Sequence, residues 1–132
     1  MTIDVKRAGA ILAVSDFDLS LAFYRDKFGF SVEAIYEDPA YAILVSGATR
    51  ISLAEQGHPA EDCPGVVMTV PGDRSRAAAM LVLEVEDCQA AYEALKRAGV
   101  PFLREPYTPP WGGARCFGVD PDGHLIELEQ PA

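Results

Sequence analysis

One arrangement of strand, helix and stop occurs twice in this chain, and it constrains the fold more than any other feature. Near the start, the apolar run "GAILAV" leads into "SDFDLSLAFYRDKFG". There Ser15 and Asp18 have the spacing of a capping box, and Gly29 stands at a C-cap position. Later, "AMLVLEV" leads into "EDCQAAYEALKRAG", with Asp87 as N-cap, Lys96 and Arg97 in the last turn, and Gly99 after it. Three strand-like runs follow each helix: "FSVEAIYE", "YAILVSG" and "RISLAEQ" after the first, "VPFLRE", "RCFGV" and "HLIELEQ" after the second. Asp38-Pro39, Gly47 and "DPDG" mark turns between them. Superposing "VSD" on "VED" and "RISLAEQ" on "LIELEQ" gives a repeat of about 71 to 75 residues, the length of a duplicated βαβββ unit rather than a solenoid period. The units run over about 7–56 and 77–130, and a Pro-, Gly- and charge-rich linker of about 57–76 joins them into a single α+β domain.

A helix covers one face of the sheet it packs on, which leaves the other face free for a second role. Strand alternation puts Ala10, Leu12 and Val14 on the helix side of the first strand, with Gly9, Ile11 and Ala13 opposite. In the last strand Ile126 and Leu128 lie under the helix, and Glu127 points away with Leu125 and Glu129. If the mixed sheet curls with its helices on the outer face, the free face is the inside of a cup, and Glu127 lies within it.

The composition excludes several classes of function. With 132 residues and 49% hydrophobic content the chain can bury a core. No apolar run reaches the roughly 18 residues of a membrane span, and the N-terminus lacks a signal-peptide pattern, so a cytoplasmic location is expected. Twenty acidic against 11 basic residues give a net charge of −9, which repels nucleic acid. Three cysteines, Cys63, Cys88 and Cys116, are an odd number without a CxxC spacing, against a disulfide framework or a thiolate metal site.

The paired units, the "SDFDLSLAFYRDKFGF" segment and above all "FGVDPDGHLIELEQ" resemble the vicinal oxygen chelate superfamily, which includes glyoxalase I, extradiol dioxygenases, fosfomycin-resistance enzymes and bleomycin resistance proteins. The resemblance implies a cup-shaped sheet and, in metal-dependent members, one ligand from the first and one from the fourth strand of each unit. The matching positions here are Gly9, Ser52, Met80 and Glu127. A single carboxylate does not hold a transition metal against water, so no metal and no other cofactor are expected. A site assembled from Glu127, His58 and a linker aspartate is the alternative, since His124 points away from Glu127 in a regular strand.

The implied chemistry is therefore binding. "PPWGGARCFGV" contains the sole tryptophan, two glycines that let the backbone bend, and a W-x-x-x-R-x-F spacing similar to that of bleomycin- and mitomycin-type resistance proteins. A four-residue DPDG loop would set Cys116 opposite Glu127 and a five-residue loop would set Phe117 there; the resemblance places Phe117 inside and selects the longer loop. Tyr41 and Arg50 match an aromatic and an arginine that recur in the resemblance. The expected ligand site is Tyr41, Arg50, Ser52, Trp111, Arg115, Phe117 and Glu127, an apolar cleft with a few oriented charges. A plain core role for Trp111 and an exposed salt bridge for Arg50 are the competing readings.

The resemblance thus implies a metal-free, homodimeric protein that sequesters an aromatic or cationic antibiotic or metabolite, with no nucleic-acid or membrane partner. The alternative is a lyase, isomerase or dioxygenase of the same superfamily that uses Glu127 as general base or metal ligand.

Overall fold

Each helix begins where an aspartate bonds a free amide of the first turn. In the computed structural model, which describes residues 1–132, Asp16 opens α1 (Phe17–Ala22) by accepting a hydrogen bond from the Leu19 N–H at 3.1 Å. Asp87 opens α2 (Cys88–Arg97) by accepting from Ala90 N–H at 3.0 Å. The second cap is the expected one. The first lies one residue later than the Ser15 capping box, because the helix itself starts at Phe17 and a charged carboxylate suits the positive end of the helix dipole. α1 widens into a π-helical turn over Phe23–Lys27 and stops at Gly29, whose φ of 77° is the left-handed conformation that ends a helix. Gly99, φ 95°, ends α2 in the same way, its N–H donating to the Lys96 carbonyl at 3.0 Å.

The chain packs as two units, Met1–Thr69 and Val70–Ala132. The first holds β1 (Gly9–Val14), α1, β2 (Ser31–Tyr36), β3 (Tyr41–Ser46) and β4 (Thr49–Glu55). Its sheet has the order β1-β4-β3-β2, with β1 parallel to β4 and the other neighbours antiparallel. Alternation sorts its side chains. Ala42, Leu44, Ile51 and Leu53 are fully buried, while Tyr41, Ile43 and Val45 are half-buried on the other face. Val14, Leu21, Phe23, Tyr24 and Phe30 complete this core, in which the Phe23 and Tyr24 rings meet edge to face at 5.0 Å.

The second unit holds β5 (Leu81–Glu84), α2, β6 (Ala114–Val119) and β7 (Leu125–Gln130). Its sheet has the order β5-β7-β6, with β5 parallel and β6 antiparallel to β7. Ile126 and Leu128 lie in a core with Cys88, Tyr92, Leu95, Val100, Cys116 and Val119.

One expected strand is missing. The "VPFLRE" run forms only one isolated bridge to β6, Phe102 with Gly118, and a second, Tyr107 with Arg115, lies just beyond it. Pro101 and Pro106 carry no N–H for a ladder, and the intervening residues loop out. The segment is held by two backbone hydrogen bonds, from Leu103 N–H to the Phe117 carbonyl and from Val119 N–H to the Pro101 carbonyl, and by the Phe102 ring, which packs on Tyr92 at 4.9 Å and over Gly118, where a side chain would crowd it. The strand registers of the two units correspond. Ile11 faces Ser52 in the first unit and Val82 faces Glu127 in the second, equivalent places in equivalent ladders.

Candidate functional site

In the first unit, the sheet face turned away from α1 is built in rows across β1, β4 and β3. Gly9, Arg50 and Val45 form one row, and Ile11, Ser52 and Ile43 the next. Beside these rows lies a hollow of about 690 Å³ bordered by Lys6, Arg7, Ile11, Tyr41, Arg50 and Ser52. Three of the expected site residues, Tyr41, Arg50 and Ser52, thus share one concavity. Lys6 and Arg7 were missed, because they precede β1 and belong to no periodic element; the only signal was a "KR" pair just before the first strand of an acidic chain.

In the second unit, the five residues Asp120–His124 separate β6 from β7, and Phe117 is the partner of Glu127. Asp120 shapes that loop, its carboxylate accepting from the Asp122 and His124 amides at 2.9 and 2.8 Å. Arg115 is opposite Glu129, on the same face. Its guanidinium carbon lies 5.7 Å from the Trp111 ring centre and 5.5 Å from that of Phe117, cation–π distances to both rings. Trp111 is 70% exposed, which removes the core reading for it. It borders a smaller hollow of about 240 Å³ with Pro109, Arg115 and Glu129.

Glu127 is 9% exposed. Burial pushes its carboxyl above the ordinary range, a hydrogen bond with Glu129 and the Glu129 charge push it further, and Arg115 pulls the other way. Burial and the second carboxylate outweigh the arginine, so Glu127 holds its proton more tightly than an exposed carboxylate would.

The positions at which metal-dependent relatives place ligands do not suit a divalent ion here. In the first unit they hold Gly9 and Ser52, neither a carboxylate nor an imidazole. In the second they hold Met80 and Glu127, and no three His, Cys, Asp or Glu side chains converge anywhere in the chain. His58 lies 3.5 Å from the Glu55 carboxylate.

Sequence spacing gave no hint that Cys88 and Cys116 meet. Their sulfurs are 3.7 Å apart in the core of the second unit, within thiol hydrogen-bond distance but not joined in a disulfide, and burial pushes the Cys116 thiol up to about 12. A thiol in that state is inert, so the pair acts as packing.

Residues 6–128 match the family model of the Glyoxalase/Bleomycin resistance protein/Dioxygenase superfamily. A bleomycin resistance protein of Geobacillus stearothermophilus is 28% identical over 123 residues, covering 90% of this chain and 92% of its own. An uncharacterised Bacillus subtilis protein, YraH, is 29% identical over 118 residues, covering 89% and 91%. A solved structure of a superfamily member from Sphaerobacter thermophilus superposes with a TM-score of 0.71 at 26% identity, over 96% of this chain and 98% of that one. With matching ladders in two units and a family model spanning nearly its whole length, the chain belongs to the Glyoxalase/Bleomycin resistance protein/Dioxygenase superfamily.

Proposed function

We propose that this protein is a metal-free binder that sequesters an aromatic or cationic small molecule, an antibiotic or a metabolite, and that it works as a homodimer. The observation that carries the reading is the second unit's constellation: an exposed Trp111 ring and the Phe117 ring, both within cation–π distance of Arg115, with a nearly buried Glu127 opposite Phe117. Flat rings offer stacking surface at little entropic cost, and the Glu127–Glu129 pair favours a cation that stabilises its ionised form. The donor set at the ligand positions supports a role without metal, and the similarity to proteins named for bleomycin resistance supports a drug-sized ligand.

A second reading, a general base, has its own support in the raised pKa of Glu127, the direction that suits proton abstraction near neutral pH. One variant separates the two. Calorimetric titration with bleomycin should show Glu127→Gln weakening binding by roughly 1.5–3 kcal/mol, the scale of a lost charge-assisted hydrogen bond, and Trp111→Ala by roughly 1 kcal/mol. Unchanged binding in both variants would remove the sequestration site from this face. A general base predicts the opposite split, with binding intact and turnover down by about a hundredfold.

A further inference from the structure

We infer that the hollow of the first unit is an oxyanion subsite: it takes the carboxylate, phosphate or sulfonate end of a small organic molecule, whose apolar body lies over Ile11 and Tyr41. The assignment rests on the reading that the chain binds small molecules, and it adds a ligand charge opposite to the one the second unit favours.

Three observations carry it. The first is charge. The chain has only 11 basic residues against 20 acidic ones, yet Lys6, Arg7 and Arg50 border this one hollow, and no Asp or Glu borders it. None of the three has an acidic partner; the ion pairs are Arg25 with Asp26, His58 with Glu55, and Arg76 with Asp73. Unpaired cations gathered at a concavity repel one another, and an anion seated among them relieves that repulsion.

The second observation is a donor. Ser52 is 5% exposed, borders the hollow, and its hydroxyl has neither a protein partner nor a sealed-off position. A nearly buried, unpartnered hydroxyl at the border of a cationic hollow can donate to an oxygen seated there. The third is room. Gly9 lies across the ladder from Arg50, and a Cβ at position 9 would stand 3.2 Å from the Arg50 carbonyl oxygen. Glycine therefore lets β1 lie close against the Arg50 backbone and adds no side chain of its own to the border of the hollow, where the planar fork of the Arg50 guanidinium suits an oxyanion. Gly9 and Ser52 thus acquire a shared use: they cannot hold a cation, and together with Arg50 they can hold an anion.

The test is a fluorescence titration of the full chain with anilinonaphthalenesulfonate, an apolar aromatic sulfonate, run beside proflavine, a planar cation. The sulfonate should bind, and Arg50→Gln and the double variant Lys6→Gln/Arg7→Gln should each weaken it about tenfold or more, one charge-assisted contact. Arg76→Gln, which removes the same charge elsewhere, should leave sulfonate affinity unchanged, and thermal melts should show each variant folded. The double variant lies outside every helix and strand, so it remains decisive even if Arg50→Gln unfolds. Sulfonate affinity within twofold of the parent in both variants would overturn the assignment. Proflavine binding without sulfonate binding would overturn it too, while leaving the small-molecule reading intact; failure of both dyes to bind would count against both.

Discussion

At the scale of single residues, Glu127 combines a cost with a use. The residue is 9% exposed and its carboxyl lies beside Glu129, so the folded chain holds its proton more tightly than the unfolded chain does. Between the ordinary carboxylate value of 4.5 and the raised one, the native state therefore binds more protons than the unfolded state. The stability this group contributes is fully present below the unfolded value and is lost as pH rises through the folded one. Urea melts across a pH series should show Glu127→Gln gaining stability relative to the parent as pH rises through that window, with the two closest at the acidic end. Parallel profiles would mean that the carboxyl is not perturbed. Strand alternation made the facing of Glu127 legible in the sequence, but its register did not follow from spacing, which left Cys116 and Phe117 both open; the family resemblance selected Phe117, the partner it has in the ladder. The Cys88–Cys116 contact was not legible: periodicity places each on a core face but cannot say which helix residue meets which strand residue 28 positions later.

At the scale of elements, the Trp111 turn is built on two consecutive left-handed glycines, Gly112 at φ 95° and Gly113 at φ 76°. A Cβ at Gly113 would run into the Gln130 carbonyl oxygen and stand 3.0 Å from the Ala132 amide nitrogen, so the turn is pressed onto the end of β7 and the residues after it. Gly113→Ala should cost about 2 kcal/mol or more in chemical denaturation and loosen the approach of Trp111 to Arg115. Gly47→Ala is the control, because Gly47 has φ 56° but nothing within 4 Å of its Cβ, and it should lose only about 1 kcal/mol. Equal losses would show that conformation alone, without the backbone clash, shapes the turn. The same paragraph of sequence shows where elements are and are not legible. α2 carries an aspartate cap, basic residues in its last turn and a glycine stop, and all lie where local chemistry puts them. "VPFLRE" has the apolar and polar mix of a strand, but a strand also needs donors in register, and Pro101 within the run and Pro106 just after it each remove one.

At the scale of the whole molecule, duplication was legible because it repeats a local pattern, whereas assembly depends on surfaces that no local pattern describes. Each unit leaves apolar side chains in water: Ile11, Ile35 and Tyr36 in the first, Val82, Leu103 and Tyr107 in the second. Ile11 and Val82 occupy equivalent ladder positions on the sheet faces away from the helices, and Ile35 and Tyr36 belong to the edge strand β2. Such residues supply the apolar centre of an interface, and two-fold pairing is the commonest way for one chain to cover them. Opposing this, each chain carries a net charge of −9, so two copies repel at long range. Apolar burial does not weaken with salt, whereas the repulsion is screened within about 8 Å at physiological ionic strength. Light scattering should therefore report twice the 14.2 kDa of one chain at micromolar concentration, with the dimer tightening as salt is raised from low to physiological levels. A dimer that loosens with salt would point instead to contact between the basic hollow of one copy and acidic residues of another, and would predict that Arg50→Gln dissociates it. A 14.2 kDa species at every concentration and salt level would require each ligand site to be complete within one chain.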